Sequence, residues 1–184
     1  MAGFFTGKGD DGTTGILGEG RVSKSDPLMD VIGNIDELTA SIGLSRANAK
    51  QDSTKDILLK VQRDLYAVMS ELAASPENRP RFQKIDQEHV AWLESQIGFL
   101  EARIDTPGGF IIPGDTHAGA CLDVARTVCR RAERGVVGWS NQGQITNQNL
   151  TRYLNRLSSL LFVLELVESK VSGVDTPTLA KEKK

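Results

Sequence analysis

Residues 120–139, ACLDVARTVCRRAERGVVGW, decide the fold class because they carry the clearest helical period in the chain. At 100° per residue, the small and apolar side chains of this stretch fill one arc of a helical wheel. Arg126, Arg130 and Glu133 lie at one edge of that arc, and Arg131 lies at the other. The arc itself contains Cys121, Leu122, Val124, Ala125, Val128, Cys129, Ala132 and Val136. The pattern predicts a long amphipathic helix with one side against a core.

The helical period recurs on both sides of this stretch, in residues 26–49, 53–75, 87–104 and 149–172. Asp86 is the predicted N-cap of the third of these helices, and Asp115 or Thr116 is that of the central helix. The connections are short and rich in Pro, Gly and polar residues, and no strand of convincing length interrupts them. The sequence therefore predicts an all-α fold, an antiparallel bundle of five helices with a glycine-rich N-terminal loop.

Composition supports one domain of ordinary globular type. The 184 residues are 39% hydrophobic and 25% charged. We expect an N-terminal segment over residues 1–26, the bundle over 27–172 and a disordered polar tail over 173–184. The net charge of -2 gives no basic footprint for nucleic acid. No stretch approaches the roughly 20 apolar residues of a membrane span, and the N-terminus lacks the apolar region of a signal peptide.

The two cysteines favour a cytoplasmic location. Cys121 and Cys129 are eight residues apart on the central helix. That spacing corresponds to roughly 12 Å along a helix axis, which is too far for a disulfide. We therefore expect two reduced thiols in the core of a cytoplasmic protein.

The N-terminal segment 6–21, TGKGDDGTTGILGEGR, contains six glycines. It is not a Walker A loop, because Lys8 is followed by Gly9 and not by Ser or Thr. Successive glycines and threonines expose backbone N–H groups that can cradle a polyphosphate, and Asp10 and Asp11 could hold Mg²⁺ through water. A flexible leader is the alternative. Three cations accompany the segment: Lys8, Arg21 and Lys24.

Charged residues at the edges of the helices indicate a second candidate site. Arg126 and Arg130 are like charges at i,i+4, which disfavours an isolated helix, and guanidinium groups fit phosphate and carboxylate. A solvated face is the alternative. The first helix carries a stripe in which Asp36 is the one carboxylate, and Arg126 or Arg130 could pair with it if it is buried. The stripe is Met29, Gly33, Asp36, Ala40, Gly43 and Ala47.

The last helix also has a second face, formed by Asn155, Ser159 and Phe162. An aromatic ring among polar residues indicates a contact with another subunit.

Four segments resemble, in order, the signatures of the PduO-type ATP:cob(I)alamin adenosyltransferases. The resemblance runs from about residue 3 to 168. The segments are TGKGDDGTTGILGEGRVSK (6–24), GNIDELTASIG (33–43), FIIPGDTHAGACLDVARTVCRRAER (110–134) and RYLNRLSSLLFVL (152–164). Three positions depart from the family pattern: Thr39 replaces Asn, Asp115 replaces the second Gly of a Pro-Gly-Gly, and Asp123 stands where many members have His.

This resemblance implies a homotrimer of five-helix bundles, with Mg²⁺–ATP and a corrinoid bound between adjacent subunits. The implied reaction transfers the 5′-deoxyadenosyl group of ATP to cob(I)alamin and releases triphosphate. Magnesium is held mainly through the phosphates. The residues that the resemblance assigns to the nucleotide are Thr6, Gly7, Gly9, Asp10, Gly12, Thr13, Thr14, Lys24, Arg130, Glu133 and Asn155.

On the corrinoid side, the resemblance implies that Arg126 pairs with Asp36 across the subunit interface. It also implies that Phe110 presses on the corrin and displaces the lower axial ligand of cobalt. Together with Arg130, these residues form the implied catalytic set. A reductase and an acceptor enzyme that uses adenosylcobalamin are the expected partners.

Two other functions are compatible with a helical bundle. A non-catalytic carrier or regulator that binds nucleotide or corrinoid would keep the same fold. A di-iron carboxylate bundle needs Glu-x-x-His pairs, and neither His89 nor His117 has a Glu three residues before it. The sequence therefore excludes the di-iron alternative and leaves the binding module open.

Overall fold

Five helices form the protein in a computed structural model that describes residues 4–181. They are α1 (Pro27–Asn48), α2 (Asp52–Ala73), α3 (Gln87–Glu101), α4 (His117–Asn141) and α5 (Gln148–Val171). Helix α4 packs against α1 and α5, α1 also packs on α2, and α3 packs on α5. Three residues join α1 to α2 and six join α4 to α5, so both pairs are antiparallel. The predicted fold class is confirmed.

Side-chain caps begin the helices where the sequence predicts them. Asp86 accepts hydrogen bonds from the backbone N–H groups of Glu88 and His89 and begins α3. Of the two candidates for α4, Thr116 is the N-cap, and its Oγ1 accepts from Gly119 N at 3.0 Å. The Asp115 carboxylate instead accepts hydrogen bonds from Thr178 near the C-terminus.

The core is mainly apolar, and it encloses a polar contact between α5 and α2. Tyr153 on α5 is fully buried, and its hydroxyl donates to Asp64 Oδ2 at 2.9 Å. The same oxygen accepts from Lys60 Nζ at 2.8 Å. Burial raises the pKa of Tyr153, and the Asp64 carboxylate raises it further, so the phenol stays protonated. A buried tyrosine of this kind fixes the register of α5 against α2.

The residues predicted to form the apolar arc of α4 are buried, with one exception. Val124, at the edge of the predicted arc, is 52% exposed, whereas the neighbouring Asp123 is buried. Cys121 and Cys129 are buried free thiols, as predicted. The carboxylate of Asp123 therefore needs a partner inside the fold, and this partner is part of the candidate site.

The N-terminal segment contains a short hairpin that the helical analysis did not predict. Strand β1 (Thr13–Gly15) pairs antiparallel with β2 (Arg21–Ser23), and each strand has only three residues. The loop between the strands is attached to the end of α2, where Leu17 N donates to Ala73 O and Ser75 N donates to Leu17 O. These bonds fix the hairpin to one end of the bundle.

Much of the tail predicted to be disordered follows a defined path. Ile112 N donates to Thr178 O, and Ala180 N donates to Phe110 O, each at 2.7 Å. The described part of residues 173–184 thus pairs with the loop before α4, and residues 182–184 lie outside the described range. Within residues 4–181, no helix has the length and apolar character needed to cross a bilayer.

Candidate functional site

The glycine-rich head is a folded loop whose turns depend on glycine. Gly7 and Gly12 have φ values of +67° and +79°, which side-chain-bearing residues rarely adopt. At Gly9 a Cβ would lie 2.9 Å from Lys24 Nζ, which donates to Gly9 O at 2.6 Å. The main chain here closes two consecutive turns, with Asp10 N bonded to Gly7 O and Gly12 N to Gly9 O. These turns and hydrogen bonds fold the head back on itself.

Arg21 holds the hairpin and the glycine turns together. Its Nε donates to Thr13 Oγ1 at 2.7 Å, and its Nη2 donates to Lys8 O at 2.5 Å. Asp11 Oδ1 accepts from both N and Oγ1 of Thr13, at 2.9 and 2.8 Å. These hydrogen bonds lower the pKa of Asp11, followed in effect by the charge of Arg21. Asp10 and Asp11 are the two carboxylates predicted to reach Mg²⁺ through water. The Asp10 side chain, unlike that of Asp11, makes no hydrogen bond among the described contacts.

The head residues that the family resemblance assigns to nucleotide lie within this frame or beside it. They are exposed or half-buried, and they are Thr6, Gly7, Gly9, Asp10, Gly12, Thr13, Thr14 and Lys24. In residues 4–181 no cluster of three or more His, Cys, Asp or Glu side chains is arranged to hold a metal ion.

A polar pair joins α4 to α5. Asn155 Nδ2 donates to Glu133 Oε1 at 3.0 Å, and Asn155 Oδ1 accepts from Arg156 Nη1 at 2.7 Å. Arg130 lies one turn before Glu133 and is exposed. Within residues 4–181 its guanidinium makes no hydrogen bond or ion pair, so it presents five N–H donors to an incoming anion. The next residue, Arg131, is engaged differently and binds Asn34 and Glu37 of α1.

Arg126 makes a different ion pair inside the chain from the predicted one. Its Nε and Nη2 both lie 2.7 Å from Asp123 Oδ1, one turn earlier on α4. Asp36 is exposed on α1 and has no ion-pair partner among the described side chains. The small-residue stripe of α1 faces outward, so the Asp36 carboxylate meets neither Arg126 nor Arg130 within one chain. An ion pair between Asp36 and Arg126 of two different subunits would not be visible in a single chain.

Arg126 and Asp123 line a cavity of about 440 Å³ beside the loop before α4. Phe110 and Phe162 supply aromatic walls, and Pro107 and Pro113 bound the loop side. The Phe110 ring is 90% exposed, so it stands free at the mouth. A mostly apolar cavity with a few polar groups is typical of small-molecule and cofactor sites. Phe162, predicted as a subunit contact, is half-buried here and forms part of this wall.

Glu165 lies behind the cavity and was missed by the sequence analysis. Its side chain is 3% exposed, and its Oε2 has no hydrogen-bond partner among the described residues. Burial, reinforced by the nearby charge of Asp123 and opposed by that of Arg126, raises the pKa of Glu165 to about 7. An acidic residue among the leucines and valines of α5 was the signal that could have identified it.

The structure brings the predicted residues together in two groups. Arg130, Glu133 and Asn155 lie along α4 and α5, and Phe110 and Arg126 lie at the cavity. The hydrogen bonds that attach the head to the bundle reach α2 and not α4 or α5. Within one chain, no described hydrogen bond therefore links the head to the group formed by Arg130, Glu133 and Asn155.

Comparison with known proteins identifies the family. The profile described as "Cobalamin adenosyltransferase" matches residues 4–168. The corrinoid adenosyltransferase of Bacillus subtilis is 36% identical over 175 residues, which are 93% of this chain and 89% of that protein. The corrinoid adenosyltransferase PduO of Salmonella typhimurium is 36% identical over 166 residues, 90% of this chain. The match covers 49% of the PduO protein, so the chain spans about half its length.

Solved structures agree with these matches. A variant PduO-type ATP:corrinoid adenosyltransferase from Lactobacillus reuteri, complexed with cobalamin and ATP, superimposes with a TM-score of 0.87. It is 29% identical, and the alignment covers 98% of this chain and all of that chain. A second variant from the same organism, complexed with ATP, gives a TM-score of 0.86 at 28% identity. The chain belongs to the cobalamin adenosyltransferase family.

Proposed function

We propose that this protein transfers the 5′-deoxyadenosyl group of ATP to a reduced corrinoid. The observation that carries the proposal is the match of nearly the whole chain, at a TM-score of 0.87, to a relative complexed with cobalamin and ATP. In the reaction, the cobalt lone pair of cob(I)alamin attacks C5′ of ATP. The bond from C5′ to the phosphate oxygen breaks, and triphosphate leaves with that electron pair as the cobalt–carbon bond forms.

This chemistry needs positioning and charge stabilisation more than proton transfer. No proton moves at carbon, and neither histidine lies at the cavity or beside Arg130. The leaving triphosphate gathers negative charge, so donors aimed at it lower the barrier. Arg130 suits that role because it is exposed and makes no described contact inside the chain. Lys24 and the backbone N–H groups of the head cradle the phosphates and the magnesium that accompanies them.

Glu133 and Asn155 line the nucleotide site in this proposal. Their mutual hydrogen bond at 3.0 Å orients the Asn155 amide, and Arg156 fixes the amide from its other end. A side chain held from two directions loses little rotamer freedom when a ligand binds. The nucleotide groove is thus partly preorganised.

A homotrimer completes the site in this proposal. The head and the Arg130 group are separate in one chain, and both would face one ATP if the head of one subunit met α4 and α5 of the next. The exposed stripe of Gly33, Asp36 and Ala40 on α1 lets a neighbouring subunit approach closely. Asp36 then pairs with Arg126 of the adjacent chain, so that Arg126 is shared between Asp123 of its own chain and Asp36 of the neighbour.

The cavity of about 440 Å³ receives the corrinoid in this proposal. Phe110 presses on the corrin and displaces the lower axial ligand, which makes cobalt(II) easier to reduce. The electron comes from a separate reductase, and an acceptor enzyme takes the product. We place all of these components in the cytoplasm.

The test is a turnover assay with Mg²⁺–ATP and chemically reduced cob(I)alamin, followed by the absorbance change on cobalt–carbon bond formation. We expect adenosylcobalamin and triphosphate in equal amounts. ATP binding without either product would favour a non-catalytic binding module, for which Asp115 and Asp123 are the first residues to examine.

A further inference from the structure

The C-terminal segment 176–180, here called the strap, lies antiparallel beside the loop that carries Phe110. Ile112 N donates to Thr178 O, and Ala180 N donates to Phe110 O, both at 2.7 Å. Between these two bonds, Ile111 and Leu179 form a bridge pair. The strap therefore adds a short strand to the edge of the loop.

Asp115 fastens the strap from the other side. Its Oδ2 accepts from Thr178 N at 2.8 Å, and its Oδ1 accepts from Thr178 Oγ1 at 2.7 Å. The backbone hydrogen bond, followed by that of the hydroxyl, lowers the pKa of Asp115, so the carboxylate is ionised at neutral pH. Hydrogen bonds to an ionised acceptor are stronger than those between neutral groups. Thr178 thus makes three of the four hydrogen bonds between strap and loop.

The loop has little else to fix its main chain. Residues 105–115 contain Gly108, Gly109 and Gly114, the last with φ +122°. Within residues 4–181, the backbone–backbone hydrogen bonds of this loop go only to the strap. The Phe110 ring is 90% exposed, so packing inside the chain does not hold it in place. The position of Phe110 therefore depends on the backbone that the strap holds.

We propose that the Asp115–Thr178 pair is a latch through which the strap positions Phe110 for the corrinoid. Asp115 and Thr178 are positioning residues, because they act through the loop and not on substrate. This inference rests on the proposed function. Opening the latch frees a glycine-rich loop, so Phe110 must be ordered each time a corrinoid binds. The backbone hydrogen bonds that attach the nucleotide head to the bundle go to the end of α2 and not to the strap, so we expect ATP binding to be unaffected.

The test compares Thr178→Val with Thr176→Val in the full chain. Thr176 is an exposed threonine of the same strap with no described side-chain hydrogen bond, so it is the matched control. We expect Thr178→Val to raise the KM for corrinoid about tenfold, as for a lost hydrogen bond to a charged acceptor. It should also reduce the fraction of bound cob(II)alamin that lacks its lower ligand, measured from the absorbance spectrum. The KM for ATP should change less than about twofold, and Thr178→Ser should restore wild-type values.

A second measurement needs no corrinoid. Amide hydrogen exchange of Ile112 in the protein alone should become about tenfold faster in Thr178→Val and stay unchanged in Thr176→Val. Equal exchange in the two variants would overturn the latch. Faster exchange with unchanged corrinoid KM and spectrum would overturn its role in positioning Phe110. A wild-type protein that fails to bind corrinoid would instead overturn the proposed function, a result distinct from either.

Discussion

Replacing Arg130 with Ala tests the role of this residue in catalysis separately from any role in folding. The Arg130 side chain is exposed on α4, and residues 4–181 offer it no hydrogen bond or ion pair. Surface substitutions of this kind change the free energy of unfolding by no more than about 0.5 kcal/mol. The structure thus predicts a variant as stable as the wild type.

The expected loss of turnover is much larger. If Arg130 donates to the leaving triphosphate, its removal costs about 2.7–4 kcal/mol of transition-state stabilisation. This corresponds to a decrease of about 10²–10³ in kcat. The KM for ATP should rise less, because the charge on the bridging oxygen develops only in the transition state.

Arg131→Ala is the matched control. Arg131 is the adjacent residue, but its guanidinium, unlike that of Arg130, binds Asn34 and Glu37 on α1. An exposed pair of this kind contributes about 0.2–1 kcal/mol to stability. We expect Arg131→Ala to lower stability by that amount and to leave kcat within about twofold of the wild type.

The assay follows formation of the cobalt–carbon bond by absorbance, with saturating Mg²⁺–ATP and cob(I)alamin, and thermal unfolding of each variant. A decrease of less than about threefold in the kcat of Arg130→Ala would refute the assignment. An equal decrease in both variants would show that the charge of α4, and not the position of Arg130, determines the rate.

Three further predictions concern buried and paired groups. A carboxyl group whose pKa is raised by folding binds more protons in the folded state than in the unfolded state. The pKa of Glu165 is about 7, against the ordinary 4.5, so the free energy of unfolding falls as the pH rises through that interval. Glu165→Gln should therefore raise the free energy of unfolding, measured by urea denaturation, by about 1–3 kcal/mol at pH 8 and by little at pH 4.5. An equal gain at both pH values would contradict this. Tyr153→Phe should cost about 1.5–3 kcal/mol in the same assay, because Asp64 loses a buried donor; no cost would mean that Lys60 alone satisfies it. Asn155→Ala should raise the KM for ATP about tenfold and leave the KM for corrinoid unchanged; a corrinoid effect of equal size would exclude a nucleotide-specific role.

The helices and their caps were predictable from the sequence because they depend on neighbours in the chain. The buried side of α4 follows from the 3.6-residue period that the i→i−4 hydrogen bonds impose. Asp86 begins α3 because its side chain satisfies N–H groups two and three residues away. The five helices, their order and the capping residues therefore required only local physical chemistry. The assignment of residues to nucleotide and corrinoid came from the family signatures instead, and it stays a prediction.

The tertiary structure decided which polar groups meet. Arg126 pairs with Asp123 within α4, and Asp36 faces outward, because the burial of a helix edge depends on what packs against it. Glu165 acquires its raised pKa because the packing of the chain buries it near the charge of Asp123 on α4. Asp115 binds Thr178, which is 63 residues away, so no local pattern could connect them. Contacts of that range are chosen by the packing of the whole chain, and they hold the loop that carries Phe110.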